Sequence, residues 1–271
     1  MRNAVALDIG GTGWSVATWT TSGVRLVGSG PTGAAPPGSL TDLRAAVRAA
    51  CAAATSGPLS DVSIGISFPG GLDETGVVTA WPNRPAWVGR RLRDLTGAPT
   101  GVPVAVGDDG VGAVLGERML GAARDVPEFL LVSLGTGIGG GVFLDGRVRP
   151  SASPDARTIG HLRALGSDRL CPCGRRGCLQ SALDTLPDDE QLSRRGFTAW
   201  PDGQRLIDTV ADLARVLSVP AVLLTGGRLH RPVLRQVLVS EARAAGLDAV
   251  VPDDPGGSAL LGAFLTEEPL P

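Results

Sequence analysis

The chain has 271 residues, enough for one large or two modest domains, and 43% hydrophobic against 19% charged residues excludes a disordered chain. A net charge of −2 gives no electrostatic footprint for nucleic acid or an anionic membrane, and no apolar run reaches membrane-spanning length. Among Lys and Arg only Arg occurs, so no lysine is available to clamp a phosphate or form a Schiff base.

The opening, MRNAVALDIGGTG, lacks the apolar run and cleavage site of a signal peptide, so a cytoplasmic protein is expected. Residues 4–9 read as a strand ending at a Gly-Gly-Thr-Gly turn. Residues 14–20 and 24–28 continue a three-strand meander. A helix starts at Ser39, with Asp42 completing a capping-box-like start. Leu43, Ala46, Val47, Ala50, Cys51 and Ala54 share one face of it, so Cys51 reads as a small buried hydrophobe.

Val62 to Phe68 is a strand stopped by Pro69-Gly70-Gly71, and 77–80 a short one before the proline-rich loop WPNRPAW. A short helix carries Leu92 and Leu95 up to Gly97. Residues 102–106 read as a buried strand, and Asp108-Asp109 open the next helix. Acids at a helix start are favoured by the helix dipole, so this pair has a structural reading beside any catalytic one. Strands at 129–134 and 138–144 flank Gly135-Thr136-Gly137. Residues 149–158 read as loop and 186–202 as irregular. A helix carries Leu206, Val210, Leu213 and Leu217. A strand at 221–224 ends at Thr225-Gly226-Gly227. Pro232 sits early in a further helix, 249–251 is a strand, and 258–266 a closing helix.

AVALDIGGTGWSV and FLLVSLGTGIGGGVF share one pattern: apolar strand, Gly-Thr-Gly turn, second strand. The repeat predicts a duplicated α/β architecture, with residues 1–108 as one domain and 109–271 as the other, around a cleft. The closing helix, within 256–266, is expected to pack back on the first domain. Glycine turns at strand ends can cradle phosphate oxygens on backbone N–H groups, since no Cβ blocks the approach. Gly10-Gly11-Thr12, Gly135-Thr136-Gly137 and Thr225-Gly226-Gly227 are three such turns. Each alone is an ordinary tight turn; three together point to a nucleotide. No P-loop motif is present. Asp8 is placed to hold Mg²⁺, and Asp109 is the candidate base on an attacking hydroxyl.

The stretch HLRALGSDRLCPCGRRGC holds three of the four cysteines. His161, Cys171, Cys173 and Cys178 have the types and spacing of zinc ligands, with Gly174 and Gly177 letting the loop curl. The competing reading, a disulfide plus a free thiol, is disfavoured because Cys171 and Cys173 are too close for an easy bridge. Four protein ligands favour structural over catalytic zinc.

These segments, with GISFPGGLDETG, Gly116-Glu117, LLTGG and ALLGAF, resemble the ROK family (repressors, open reading frames and sugar kinases). The resemblance implies an actin-like, duplicated ribonuclease-H-like fold, and transfer of the γ-phosphate of ATP to a sugar. It places Asp8, Gly10, Gly11, Thr12 and Gly135 to Gly137 at the phosphates, Thr225 to Gly227 on the adenosine side, and Asp109 as catalytic base. It gives Asn83 and His161 to the sugar side. Three sugar-side positions depart from the family pattern: Asp108 stands for Asn, Thr158 for Glu and Gln180 for Glu. The expected activity is therefore ATP- and Mg²⁺-dependent phosphorylation of a hexose, amino sugar or cyclitol. The alternative is an inactive sugar or metabolite sensor. Nucleic acid and membrane are not expected partners; a second copy of the chain is the one macromolecular partner the resemblance admits.

Overall fold

The computed structural model describes residues 3–20, 23–33, 40–81, 84–149, 159–163 and 168–265. The chain divides into two units, Met1–Gly112 with Ala259–Pro271, and Ala113–Ser258.

In the first unit β1 (Asn3–Ile9), β2 (Gly13–Thr20) and β3 (Gly23–Pro31) form the meander, followed by α1 (Thr41–Ala54), β4 (Val62–Phe68) and the small hairpin β5 (Gly71–Leu72) and β6 (Val78–Ala80). Then come α2 (Leu92–Thr96), β7 (Val104–Asp108) and α3 (Asp109–Met119). The main sheet runs β3-β2-β1-β4-β7, antiparallel across the meander and parallel through β1, β4 and β7. Helix α1 packs across β1, β2 and β3. It buries Leu43, Val47, Ala50, Cys51 and Ala54 against Val5, Leu7 and Val16, the stripe its 3.6-residue period predicts. Burial pushes the Cys51 thiol up to about 11, which suits a packing residue. The residue before the helix is Leu40, with no side-chain cap; Ser39 lies outside the described residues.

In the second unit β8 (Phe129–Leu134), β9 (Ile138–Leu144) and β10 (Arg147–Arg149) are followed by α4 (Asp189–Arg195), α5 (Pro201–Leu217), β11 (Ala221–Thr225), α6 (Pro232–Ala244) and β12 (Asp248–Val250). The sheet runs β10-β9-β8-β11-β12, antiparallel from β10 to β8 and parallel from β8 to β12. This is the order of the first sheet over again, meander first and parallel strands after, so the duplication read from the glycine turns extends to the sheets. Leu206, Ile207 and Val210 of α5 and Leu234 and Leu238 of α6 close its core with Leu130, Val132, Val222 and Leu224.

The last helix, α7 (Ser258–Ala263), runs into the first unit. There it lies against β4 and α3 on glycines: a methyl at Gly65 would stand 1.7 Å from the Ala263 carbonyl oxygen, and one at Gly262 1.7 Å from that of Gly112.

Two expectations need correction. The strand expected at 102–106 lies two residues later, because Pro103 cannot donate to a ladder and pairing starts at Val104. The stretch 186–202 is not irregular. It holds α4, opened by a capping box in which Asp188 accepts from the Gln191 N–H and Gln191 accepts from the Asp188 N–H, and the start of α5 with Pro201 in its first turn.

Candidate functional site

Parallel strands β1, β4 and β7 all point their C-terminal ends the same way, with Asp8 beside Ser67 and Phe68 beside Asp108 in register. Strand ends of this kind are where α/β sheets bind ligands. The two aspartates at the junction of β7 and α3 have different surroundings. Asp108 Oδ1 accepts from the N–H groups of Gly110 at 2.9 Å and Val111 at 3.0 Å, which caps α3. Asp109 is the first helical residue. Burial, then the charge of Asp108, raises its carboxyl to about 7, against the pull of the Gly110 and its own N–H groups. Burial, then the charge of Asp109, raises Asp8 to about 7 as well.

The first glycine turn joins β1 to β2. Its Gly10 N–H donates to the Gly13 carbonyl at 2.8 Å; Thr32 donates through Oγ1 to the Gly10 carbonyl at 2.8 Å and through N–H to the Thr12 carbonyl at 3.0 Å. The Arg84 guanidinium donates to the Gly11 carbonyl. With its carbonyls tied to the protein, the turn is oriented to present N–H groups.

The second and third turns lie together in the second unit, where Ser133 of β8 and Thr225 of β11 are in register. The Gly135 N–H donates to the Gly137 carbonyl at 2.9 Å, and Arg228 Nε to the Gly135 carbonyl at 2.8 Å. Gly226 has φ 99° and donates to the Pro255 carbonyl at 2.6 Å. A methyl there would stand 2.5 Å from the Leu134 backbone, so only glycine lets this turn rest on the end of β8. Arg84 and Arg228 thus hook one carbonyl in each half. Sequence reading missed both, since an isolated arginine in a loop carries no motif.

Among the described residues His161, Cys171, Cys173 and Cys178 form one cluster, their ligand atoms all within 4.8 Å of one another. Cys171 Sγ lies 3.7 Å from His161 Nδ1, and Cys173 Sγ 3.6 Å from Cys178 Sγ. A tetrahedral ion with bonds of about 2.3 Å to sulfur sets edges of about 3.8 Å. The donor set and its spacing therefore fit such an ion, and a free-thiol reading leaves four soft ligands converging without cause. None of the four cysteines is in a disulfide. Burial pushes the Cys173 thiol up, but the Arg175 backbone and guanidinium with the two neighbouring thiols outweigh it and bring it to about 7. Burial, then the Cys173 and Cys171 thiols, push Cys178 up to about 12. The loop curls at Gly174 and Gly177, both at positive φ. Gly160 lets the His161 turn press on β9, since a methyl there would stand 2.0 Å from the Ile138 carbonyl oxygen.

Gln180 lies between this cluster and the second turn. Its Nε2 donates to Cys171 Sγ at 3.3 Å, and its Oε1 would stand 2.7 Å from a methyl at Gly137. Asn83 and Thr158 lie outside the described residues. No described helix is long and apolar enough to cross a membrane.

Duplicated sheets with a glycine turn at the end of each first strand define an α/β protein of the actin-like type. The ROK family glucokinase of Streptomyces griseus, solved in complex with glucose and AMPPNP, overlays with a TM-score of 0.72 at 23% identity, covering 97% of this chain and 99% of that one. The chain belongs to the ROK family, whose model matches residues 4–184. It is 34% identical over 138 residues to a glucokinase of Thermotoga maritima, covering 51% of this chain and 43% of the relative. It is 37% identical over 121 residues to a kanosamine kinase of Amycolatopsis mediterranei, covering 44% and 39%. The chain therefore matches less than half the length of either relative.

Proposed function

We propose that this protein transfers the γ-phosphate of ATP to a hydroxyl of a sugar or sugar-like polyol: a hexose, an amino sugar or a cyclitol. One observation carries the reading. Asp108 takes over the capping of α3, which leaves the Asp109 carboxylate for chemistry, with its proton affinity raised to about 7. A carboxylate tuned near operating pH suits a general base. Relatives named glucokinase and kanosamine kinase support the reaction class and both a plain and an amino sugar as acceptor.

In this reading Asp109 takes the proton of the attacking hydroxyl. Asp8 would hold Mg²⁺, which when bound neutralises phosphate charge. The first two glycine turns orient the phosphates, and Thr225 to Gly227 the adenosine side. Zinc on His161, Cys171, Cys173 and Cys178 is structural, because four protein ligands leave no open position. Asn83, Asp108, Thr158, His161 and Gln180 would form the sugar side; Asp108 contributes there only through what its capping leaves available.

A coupled ADP-release assay over hexoses, amino sugars and cyclitols tests this. The expected result is turnover with at least one, falling about 10²- to 10⁴-fold in Asp109→Asn, the usual worth of a general base. No turnover with any acceptor would sink the proposal. A second reading, a sensor without turnover, has one observation in its favour: the Gln180 amide donates to Cys171 in place of the family's acid. Calorimetry separates the two, since a sensor binds sugar without binding ATP.

A further inference from the structure

Gln180 follows Cys178 by two residues, on the short helical turn Leu179–Thr185. Its two amide ends meet two different parts of the second unit. The Nε2 end donates to Cys171 Sγ at 3.3 Å. The Oε1 end lies so close over Gly137 that a methyl there would stand 2.7 Å from it. An amide has one donor end and one acceptor end, so the bond to sulfur decides that the carbonyl end faces the glycine turn. A glutamate of the same length has no donor for sulfur, and its charge would stand beside a thiolate.

We propose that Gln180 is an outer hydrogen-bonding partner of the Cys171 thiolate in the metal-loaded cluster, and that its amide couples the position of that sulfur to Gly137 in the second glycine turn. The proposal rests on the metal reading of the cluster and is independent of the kinase reading. Three thiolates around one divalent ion leave a net negative charge. A donor on one sulfur disperses part of it and stabilises the complex. Groups that hydrogen-bond metal ligands commonly change metal affinity 10- to 100-fold when replaced. In this chain the amide donates to sulfur and closes over a glycine without adding charge.

The test uses the full chain loaded with Zn²⁺ and then with Co²⁺, in wild type, Gln180→Glu, Gln180→Met and Gly137→Ala. Zinc affinity is read by competition with a chromophoric chelator, and the sulfur-to-cobalt charge-transfer band reports electron density on sulfur. Both Gln180 variants are expected to bind zinc at least about tenfold more weakly, Glu worse than Met, and to shift the band to longer wavelength. Gly137→Ala, which offers no ligand to the metal, is expected to shift the band the same way by pushing the amide off Cys171. Wild-type zinc affinity and an unmoved band in both Gln180 variants overturn the proposal. An unmoved band in Gly137→Ala alone overturns the coupling to the turn. Melting in excess zinc checks folding; if the Glu variant does not fold, the Met variant, which keeps length and loses the donor, decides. None of these readouts involves phosphoryl transfer, so a chain without kinase activity would still give them.

Discussion

Asp108 Oδ1 accepts two backbone N–H groups at the start of α3, while the neighbouring Asp109 is held near neutral pKa by burial and by Asp108 itself. Sequence spacing left the helix-start and catalytic readings of this pair open; the structure gives the cap to Asp108, and the catalytic role is proposed for Asp109. Asparagine caps a helix as well as aspartate does, so the departure from the family's Asn at 108 is nearly neutral for the cap. Asp108→Asn should therefore change stability little, and Asp108→Ala should cost about 1 kcal/mol, read by urea unfolding. Equal losses in the two variants would mean that the capping geometry is not what holds α3. Residue types with strong local chemistry were the legible ones: the glycines of the turns and the Cys-x-Cys with its histidine. Arg84, Arg228 and the inward turn of Gln180 were not, because each depends on partners far away in sequence.

At the level of elements, the strands read from apolar runs lie within two residues of their expected places, except β3, which runs three residues further, to Pro31. The failure at 186–202 has a physical cause: α4 is short and polar, with Leu192 its one buried residue, so no hydrophobic period marks it. Its capping box was the available signal. The region is anchored by charge. Asp202, almost fully buried, accepts from Arg169 Nη1 and Arg205 Nη1 at 2.6 Å each, and from Thr185 Oγ1 at 3.0 Å. This ties the segment before Cys171 to the first turn of α5. Both arginines stay partly exposed, which limits the cost of losing the partner. Asp202→Ala should cost about 2 kcal/mol, the scale of a hydrogen bond to a charged group. It should also loosen the metal loop, seen as faster zinc loss to a chelator. Unchanged stability and unchanged zinc release would remove the bracing role.

For the whole molecule, the raised carboxyls set a pH signature. Between its ordinary pKa of 3.8 and about 7, Asp8 keeps a proton in the folded state that it loses on unfolding. The folded state then binds more protons, so stability falls as pH rises through that window. Asp109 adds to the same slope. In protein without nucleotide or added metal, Asp8→Asn should remove part of it, so that its melting temperature gains on wild type from pH 4 to pH 8. Added Mg²⁺ at pH 8 should raise the wild-type melting temperature more than that of the variant. A variant that parallels wild type at every pH would show that Asp8 carries no strained charge. The duplicated sheets were legible from two glycine turns because each turn ends the first strand of a repeat.

The role proposed for Asp109 is to accept the proton of the attacking hydroxyl. Its most direct measurement is the pH dependence of kcat/KM for the best acceptor, in wild type and in Asp109→Asn. A base must be deprotonated to act, so wild-type activity should rise with pH through an apparent pKa of about 7, and the residual activity of the variant should lack that limb. A wild-type profile flat from pH 5 to 9, or a variant that keeps both the rate and the limb, would contradict it.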